Sequence, residues 1–423
     1  MGCKSNQFEG AIIIENLTQN GLVQVKNIED ADIYILNSCS VTHKSDNEAL
    51  YLLRNAKHKN SNIYTVLTGC VAQIEKEKLL EYDFVDIVVG NDEKLSFYEI
   101  LEHAKNNFPC HVTDIMQLDK FNKVVLGDMT KTRVSLKIQD GCDNRCAYCI
   151  IPFARGKNRS ADSDFIVEQI NNFSKHGFKE VVFTGIHIGQ WGKDFGLELL
   201  DLLKEIETRT TIERYRLGSL NPLEITDGML DFLNKSKKFC PHFHLSLQSA
   251  CDKTLRSMNR FYNVEDYLAQ IEKINSMFDL PFIGSDIITG FAGETDEDFE
   301  ITRKNLEKSG LTQIHTFPYS IRKGTIGASR SDQVDDKEKE RRADIVKAIS
   351  TQKYQKFIDQ NIGTVREILI EKHPDKRTGL LKGITRNYLT VLLNSKNETL
   401  TNTIQRVKIT CIKNGKLYGE LIV

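Results

Sequence analysis

The sequence predicts an α/β protein in three parts: an N-terminal open parallel α/β domain, a central partial (β/α)6 barrel, and a small all-β, OB-like barrel at the C-terminal end. Three observations carry this. Residues 1–108 alternate short apolar runs with amphipathic ones. Residues 133–334 repeat the alternation through six strand-like runs. Residues 363–423 hold strand patterns broken by turn residues.

In the first part, strands are expected at 32–37, 63–68 and 84–89, and helices at 47–56, 74–80 and 97–104. Cys39 and Cys70 fall just past two of these strands, where open α/β sheets bind ligands. A parallel sheet would also place an apolar strand before Cys3. Only two residues precede it, so the chain is expected to start short by a strand. Residues 109–132 read as a linker. Barrel strands are expected at 134–138, 180–184, 214–219, 243–248, 282–289 and 313–319, with helices at 165–176, 197–208 and 296–309 among them. A connecting helix is expected within 335–362. Strands at 365–371, 388–393 and 407–412 follow, and Asn414-Gly415 is a hairpin turn.

Of the 423 residues, 40% are hydrophobic and 27% charged, the balance of a soluble globular protein. No apolar run approaches the roughly 20 residues of a membrane helix. The start, Met1-Gly2-Cys3-Lys4-Ser5, lacks a secretory profile. We therefore expect a cytoplasmic protein with no membrane partner. Residues 363–423 carry 11 Lys and Arg against 5 Asp and Glu, whereas the rest of the chain is acidic. A basic module of this kind suits a polyanionic partner.

The chemistry is carried by cysteine spacing. Cys142, Cys146 and Cys149 form C-x3-C-x2-C on a short loop after the first barrel strand. Three thiolates so spaced can hold three irons of a 4Fe–4S cube and leave the fourth iron for S-adenosylmethionine (SAM). A zinc site is the alternative, but it would want a fourth Cys or His close by. Cys110, Cys240, Cys251 and Cys411 read as small buried hydrophobes.

The triplet, with Ile150-Ile-Pro-Phe-Ala-Arg155-Gly behind it, resembles the radical SAM methylthiotransferases. Gly2-Cys3-Lys4-Ser5-Asn6-Gln7, Asn37-Ser38-Cys39 and Thr68-Gly69-Cys70 resemble that family's N-terminal domain. His244-Leu-Ser-Leu-Gln248-Ser249, Met258-Asn-Arg260, Asp286-Ile-Ile-Thr-Gly290, Gly293-Glu294-Thr295 and Phe317-Pro-Tyr-Ser320-Ile-Arg322-Lys-Gly324-Thr325 resemble its barrel. The last part is similar to its RNA-binding TRAM domain. The resemblance implies two 4Fe–4S clusters, the second an auxiliary one on Cys3, Cys39 and Cys70. It also implies SAM as cofactor, a tRNA anticodon stem-loop as partner, and an electron donor such as flavodoxin or ferredoxin. The opening Gly-Cys-Lys-Ser-Asn-Gln, with His244-Leu-Ser-Leu-Gln-Ser, looks most like the branch acting on threonylcarbamoyl-adenosine. The alternatives are the isopentenyladenosine branch, the branch modifying a ribosomal-protein aspartate, and a non-catalytic RNA-binding protein.

Candidate SAM contacts are Tyr148, whose ring can flank adenine, Thr184 and Gly185 after the second barrel strand, and Gln248, Ser249 and Arg260. His187 and Gly189 lie in the same loop as Gly185. Arg155, Arg159 and Arg322 are candidates for a substrate anion, with Thr325 beside the last. Three departures from the family pattern are expected to matter, the missing first strand most of all because it leaves Cys3 poorly anchored. Ala250 would be strained at a left-handed position, and Ala292, in place of proline, would loosen its loop.

Overall fold

The computed structural model describes residues 2–40, 42–104, 109–124 and 131–422. A four-stranded parallel sheet opens the chain, in the order β1 (Ile33–Ser38), β2 (Tyr64–Gly69), β3 (Ile87–Val89), β4 (Cys110–His111). Helices α1 (Lys4–Gln19), α2 (His43–Lys59), α3 (Cys70–Leu79) and α4 (Phe97–Ala104) accompany it. The adjacent residues Val66 and Leu67 of β2 point to opposite faces and are both fully buried. Val66 packs with Ile13, Leu17 and Phe97, while Leu67 packs with Ala49, Leu53 and Val71. Helices therefore cover both faces, as a parallel sheet requires.

Three expectations change here. The stretch expected to be a linker supplies the edge strand β4. The third strand is shorter than expected, because Val85 closes a turn onto the Tyr82 carbonyl. Cys3 follows no strand: it is the residue from which α1 starts. The buried face of α1 mixes Phe8, Ile12, Ile13 and Leu17 with Ser5, Asn6 and Glu9, which conceals its amphipathic period.

The middle of the chain holds six parallel strand positions in sequence order. β5 (Val134–Lys137), Glu180–Thr184 and Arg214–Arg216 form one run. Ser219–Leu220, His242–Leu245, Phe282–Thr289 and Gln313–Pro318 form the next. The third position is expected as one strand and breaks at Leu217-Gly218. A bridge from Tyr215 to Phe239 joins the two runs across the break. Val134, Leu136, Val181, Phe183, Phe243, Leu245 and Ile283 enter the core shared with the outer helices. Alternation then turns Lys137, Thr184, Glu180, Arg214, Arg216, His244 and Asp286 to the inner face.

The helix Asp336–Asn361 leads to a closed five-stranded barrel, and Asn414 and Gly415 (φ 50° and 69°) form its hairpin turn. This module is tied to the central barrel by buried charge. Glu180 accepts Arg216 Nε at 2.7 Å and lies 2.9 Å from Arg214 Nε. Arg216 also donates to the carbonyls of Thr385 and Arg386, both at 2.6 Å, and Arg214 to that of Ile384 at 3.2 Å. Glu180→Ala leaves two buried guanidinium groups without a counter-charge. It is expected to cost about 3–5 kcal/mol in denaturant unfolding. A cost below about 1 kcal/mol would remove this latch from the account.

Cys240 and Cys251 are buried as expected; Cys110 is exposed on its edge strand and Cys411 half-buried. No helix among the described residues is long and apolar enough to cross a membrane.

Candidate iron–sulfur and radical SAM site

The cysteine triplet sits on a loop pinched at its base. β6 (Gln139–Asp140) pairs antiparallel with β7 (Arg159–Ser160), enclosing residues 141–158. Gly141 is left-handed (φ 74°), and a Cβ there would lie 1.8 Å from the Lys157 carbonyl oxygen, so only glycine passes. The Cys142 N–H donates to the Gly156 carbonyl at 3.0 Å, and the Cys149 N–H to that of Cys146 at 3.0 Å. Ala147 fastens the middle, donating to Met258 O (2.9 Å) and accepting from the Gly327 N–H (2.7 Å). The short helix α5 (Ile151–Arg155) follows. Gly141→Ala is expected to remove about half of the bound iron while circular dichroism stays unchanged. Full iron content in that variant would show that the loop can re-form around a side chain.

Two cationic side chains face the thiols. Arg260 Nη1 lies 3.6 Å from Cys146 Sγ, and His187 Nδ1 lies 3.5 Å from Cys142 Sγ. His187 Nε2 is 2.6 Å from Glu224. Burial opposes the imidazolium, but Cys142 and Glu224 on its two sides hold the pKa up at about 9. Burial, and then Cys146, push the Cys149 thiol up to about 12. A thiol bonded to a metal is deprotonated outright, which reverses that preference. Among the described residues, no three His, Cys, Asp or Glu side chains gather around one ion position. Three soft thiolates spread over a loop, with donors aimed at sulfur, fit a 4Fe–4S cube with one open iron.

Cys3, Cys39 and Cys70 are brought to one edge of the N-terminal sheet. Ser38 and Gly69 are register partners on β1 and β2, so Cys39 and Cys70 leave adjacent strands side by side. Gly69 (φ 96°) lets the chain turn where a Cβ would lie 2.2 Å from Ser38 O. A Cβ on Gly2 would meet the Cys39 Cβ at 2.7 Å, so the chain immediately before Cys3 passes against Cys39. The two triplets share an interface: α3, which starts at Cys70, packs on α5, which follows Cys149. Asn91 spans it, donating to Ala154 O at 2.7 Å with the same nitrogen 4.0 Å from Cys70 Sγ.

The other expected site residues divide. Arg260 stands at the triplet. The Tyr148 ring packs edge-on to Phe291 at 6.5 Å. The Thr184 hydroxyl lies 3.3 Å from that of Ser5 on α1. Gly185 packs where a Cβ would lie 2.8 Å from Gln139. Gly189 leaves room for Glu224. Gln248 bridges to Ile287 in a left-handed conformation (φ 74°).

Several readings are corrected. Ser249 is fully buried, with its hydroxyl 3.4 Å from that of Thr302, and does not face the barrel interior. Arg155 and Arg159 are 1% and 4% exposed and cannot reach a substrate anion. Arg155 binds Glu9, and Arg159 donates to the Arg155 carbonyl at 3.0 Å. Arg322 is held by Asp46 and by Ser40, the residue after Cys39, and the Thr325 hydroxyl donates to the Arg322 carbonyl. Ala250 does not have positive φ, which falls instead on Gln248, so the expected strain is absent. The Ala292 loop is buried and fastened by Gly290 N–H to Glu294 at 2.7 Å and Gly293 N–H to Asp332 O at 2.8 Å, so it is not loosened. Glu224, Asn91 and Glu9 are missed in the sequence, since their contacts with His187, Cys70 and Arg155 are made across 37, 21 and 146 residues.

The model of an uncharacterized protein family, UPF0004, matches residues 1–90, and that of the radical SAM superfamily matches residues 136–306. The threonylcarbamoyladenosine tRNA methylthiotransferase MtaB of Bacillus subtilis is 33% identical, over 99% of this chain and 94% of its own length. The tRNA-2-methylthio-N(6)-dimethylallyladenosine synthase of Dictyoglomus thermophilum is also 33% identical, over 100% and 97%. In fold, the chain is similar to the radical SAM methyltransferase TsrM of Kitasatospora setae, with a TM-score of 0.57, 12% identity, and coverage of 76% and 72%. With both cysteine triplets in place and relatives matched along nearly the whole sequence, the chain belongs to the radical SAM tRNA methylthiotransferases, enzymes that use SAM and two 4Fe–4S clusters.

Proposed function

We propose that this enzyme inserts a methylthio group at an adenine C–H of threonylcarbamoyl-adenosine next to the tRNA anticodon. In this reading Cys142, Cys146 and Cys149 hold the cluster that binds SAM, and Cys3, Cys39 and Cys70 hold the auxiliary cluster. The carrying observation is the shared interface of the two triplets, where Asn91 touches both sides. When bound, the cofactors supply a 5′-deoxyadenosyl radical to remove the hydrogen, and the sulfur and methyl group that replace it.

The protein supplies position and polarity. Arg260 and His187 orient the first cluster through Cys146 and Cys142. Arg322 braces the Cys39 loop against the end of the barrel. His244 Nε2 lies 2.9 Å from Asp286, and its ring stacks on His315 at 5.7 Å. A polar inner wall of this kind favours a substituent with a carboxylate and a hydroxyl over an apolar isopentenyl group. Mass spectrometry of nucleosides from tRNA of a deletion strain tests the reading. Loss of the methylthio group from threonylcarbamoyl-adenosine is expected. Its loss from the isopentenyl nucleoside alone would assign the enzyme to the other branch.

The division of labour follows the domains read from the sequence. Residues 1–108 carry the auxiliary site, 133–334 the radical chemistry and 363–423 the tRNA contact. The enzyme works in the cytoplasm, with flavodoxin or ferredoxin as electron donor. Arg406, Lys408 and Lys413 are exposed on the outer strand Ile404–Lys413. Replacing all three by glutamine is expected to weaken tRNA binding and lower its salt slope by about one for each phosphate that is no longer neutralised. An unchanged slope would place the RNA surface elsewhere. Deleting the whole module is a poorer test, because it strips Arg214 and Arg216 of their carbonyl partners.

A further inference from the structure

Between the two cysteine triplets lies a group of buried charges with no part in binding or chemistry as set out above. Glu9 of α1 receives Lys94 Nζ at 2.5 Å, Lys137 Nζ at 2.8 Å, and both terminal nitrogens of Arg155, Nη2 at 3.0 Å. Asp140 receives Lys137 Nζ at 2.7 Å and lies 3.5 Å from Arg155 and 4.0 Å from Arg159. Glu9, Lys94 and Arg155 are at most 1% exposed. Lys94, Lys137, Arg155 and Arg159 face two buried carboxylates, with half-buried Asp92 as a third beside Lys137 and Arg159. Among the buried side chains four cations face two carboxylates, an excess that the half-buried Asp92 and its neighbour Glu93 offset only from the partly exposed side, and such buried charge calls for an anion.

The anion indicated by geometry is at Cys70. Asn91 accepts Lys94 Nζ at 2.7 Å, and its side-chain nitrogen lies 4.0 Å from Cys70 Sγ. Burial lowers the Lys94 pKa, with Glu9 and then Cys70 opposing it, while Glu9 and Cys70 hold that of Arg155 above its ordinary value against burial. The charges come from two parts of the chain: Glu9, Asp92 and Lys94 from the N-terminal domain, and Lys137, Asp140, Arg155 and Arg159 from the strand and loop that carry the Cys142 triplet. The group forms only when the N-terminal sheet is seated against the radical SAM loop.

Resting on the assignment of Cys70 to the auxiliary cluster, we infer that Glu9 is a positioning residue: it fixes Lys94 and Arg155 beside Cys70, where their excess charge offsets the thiolate-bound cluster and sets its reduction potential. One-electron reduction adds one negative charge to a cluster and breaks no bond. Nearby cations therefore raise the potential, and nearby carboxylates lower it.

The experiment uses the full-length chain with Cys142, Cys146 and Cys149 replaced by alanine, so that one cluster remains. After anaerobic reconstitution, its potential is titrated with dithionite and followed by electron paramagnetic resonance. Lys94→Met is expected to shift the potential down and Glu9→Gln to shift it up. Glu9→Gln combined with Lys137→Met, which restores the charge count, is expected to return it towards the parent value. A purely structural role would lower iron occupancy in all of these variants without shifts of opposite sign. Should Glu9→Gln fail to fold, Lys94→Met and the double variant carry the comparison. An unchanged potential in Lys94→Met, or shifts of the same sign in Lys94→Met and Glu9→Gln, overturns the inference. A parent that binds no iron overturns instead the assignment of Cys70 to a cluster, and the inference with it.

Discussion

Replacing Cys142, Cys146 and Cys149 together with alanine is expected to remove about half of the iron and to abolish SAM cleavage. The loss should be complete because the polar side chains near the triplet are engaged elsewhere: Asp143 accepts from the Asn158 N–H. His187, close to Cys142, is already bound to Glu224, and Arg260 is a cation that cannot ligate iron. The remaining iron should stay with Cys3, Cys39 and Cys70, whose edge of the sheet is built by Gly2, Gly69 and the β1–β2 register without help from the triplet. The mirror variant, with those three cysteines replaced, should keep SAM cleavage and lose methylthio insertion. Iron analysis and detection of 5′-deoxyadenosine separate the two. SAM cleavage in the first variant would contradict the assignment of the radical cluster.

Offered two anticodon stem-loops, one carrying threonylcarbamoyl-adenosine and one isopentenyl-adenosine, the reconstituted enzyme is expected to prefer the first by a factor on the order of 10⁴ in kcat/KM. The barrel wall carries the His244–Asp286 pair and His315, polar side chains that offer an apolar isopentenyl group no favourable contact once the base excludes water. The threonyl end supplies a carboxylate and a hydroxyl, while the isopentenyl group supplies neither. Anticodon-loop bases are unpaired, so the adenine can be splayed into the barrel while its substituent is read. Liquid chromatography with mass detection of the digested stem-loops gives the ratio. A ratio near one, or methylthiolation of the isopentenyl form alone, would reverse the choice of branch and leave the radical chemistry untouched.

The candidate ligand set is legible in the sequence because it is local. Cys142, Cys146 and Cys149 lie within one loop, and the turn glycine Gly141 sits beside them. The six barrel positions were legible because Val134, Leu136, Val181, Phe183, Phe243 and Leu245 bury one face in alternation, a pattern that needs no knowledge of neighbours. The break at Leu217-Gly218 was not legible: it depends on the third strand changing partners, from Glu180–Thr184 to His242–Leu245. The edge strand Cys110–His111 is too short to show any period.

The sequence by itself determined which atoms can bind metal, which faces of the strands are apolar, and where the basic module lies. Only the tertiary structure decided what the charged residues do. Arg155 follows the cluster loop and reads as an anion binder; its partner Glu9 is 146 residues away, on a helix whose buried side is polar. Lys137 meets the same carboxylate across 128 residues, and Arg214 and Arg216 reach carbonyls about 170 residues downstream. Apolar burial is non-directional and rewards a pattern along the chain, so a period reveals it. A buried charge is tolerated only when a specific opposite charge arrives at hydrogen-bond distance, and that pairing exists only once the chain has folded.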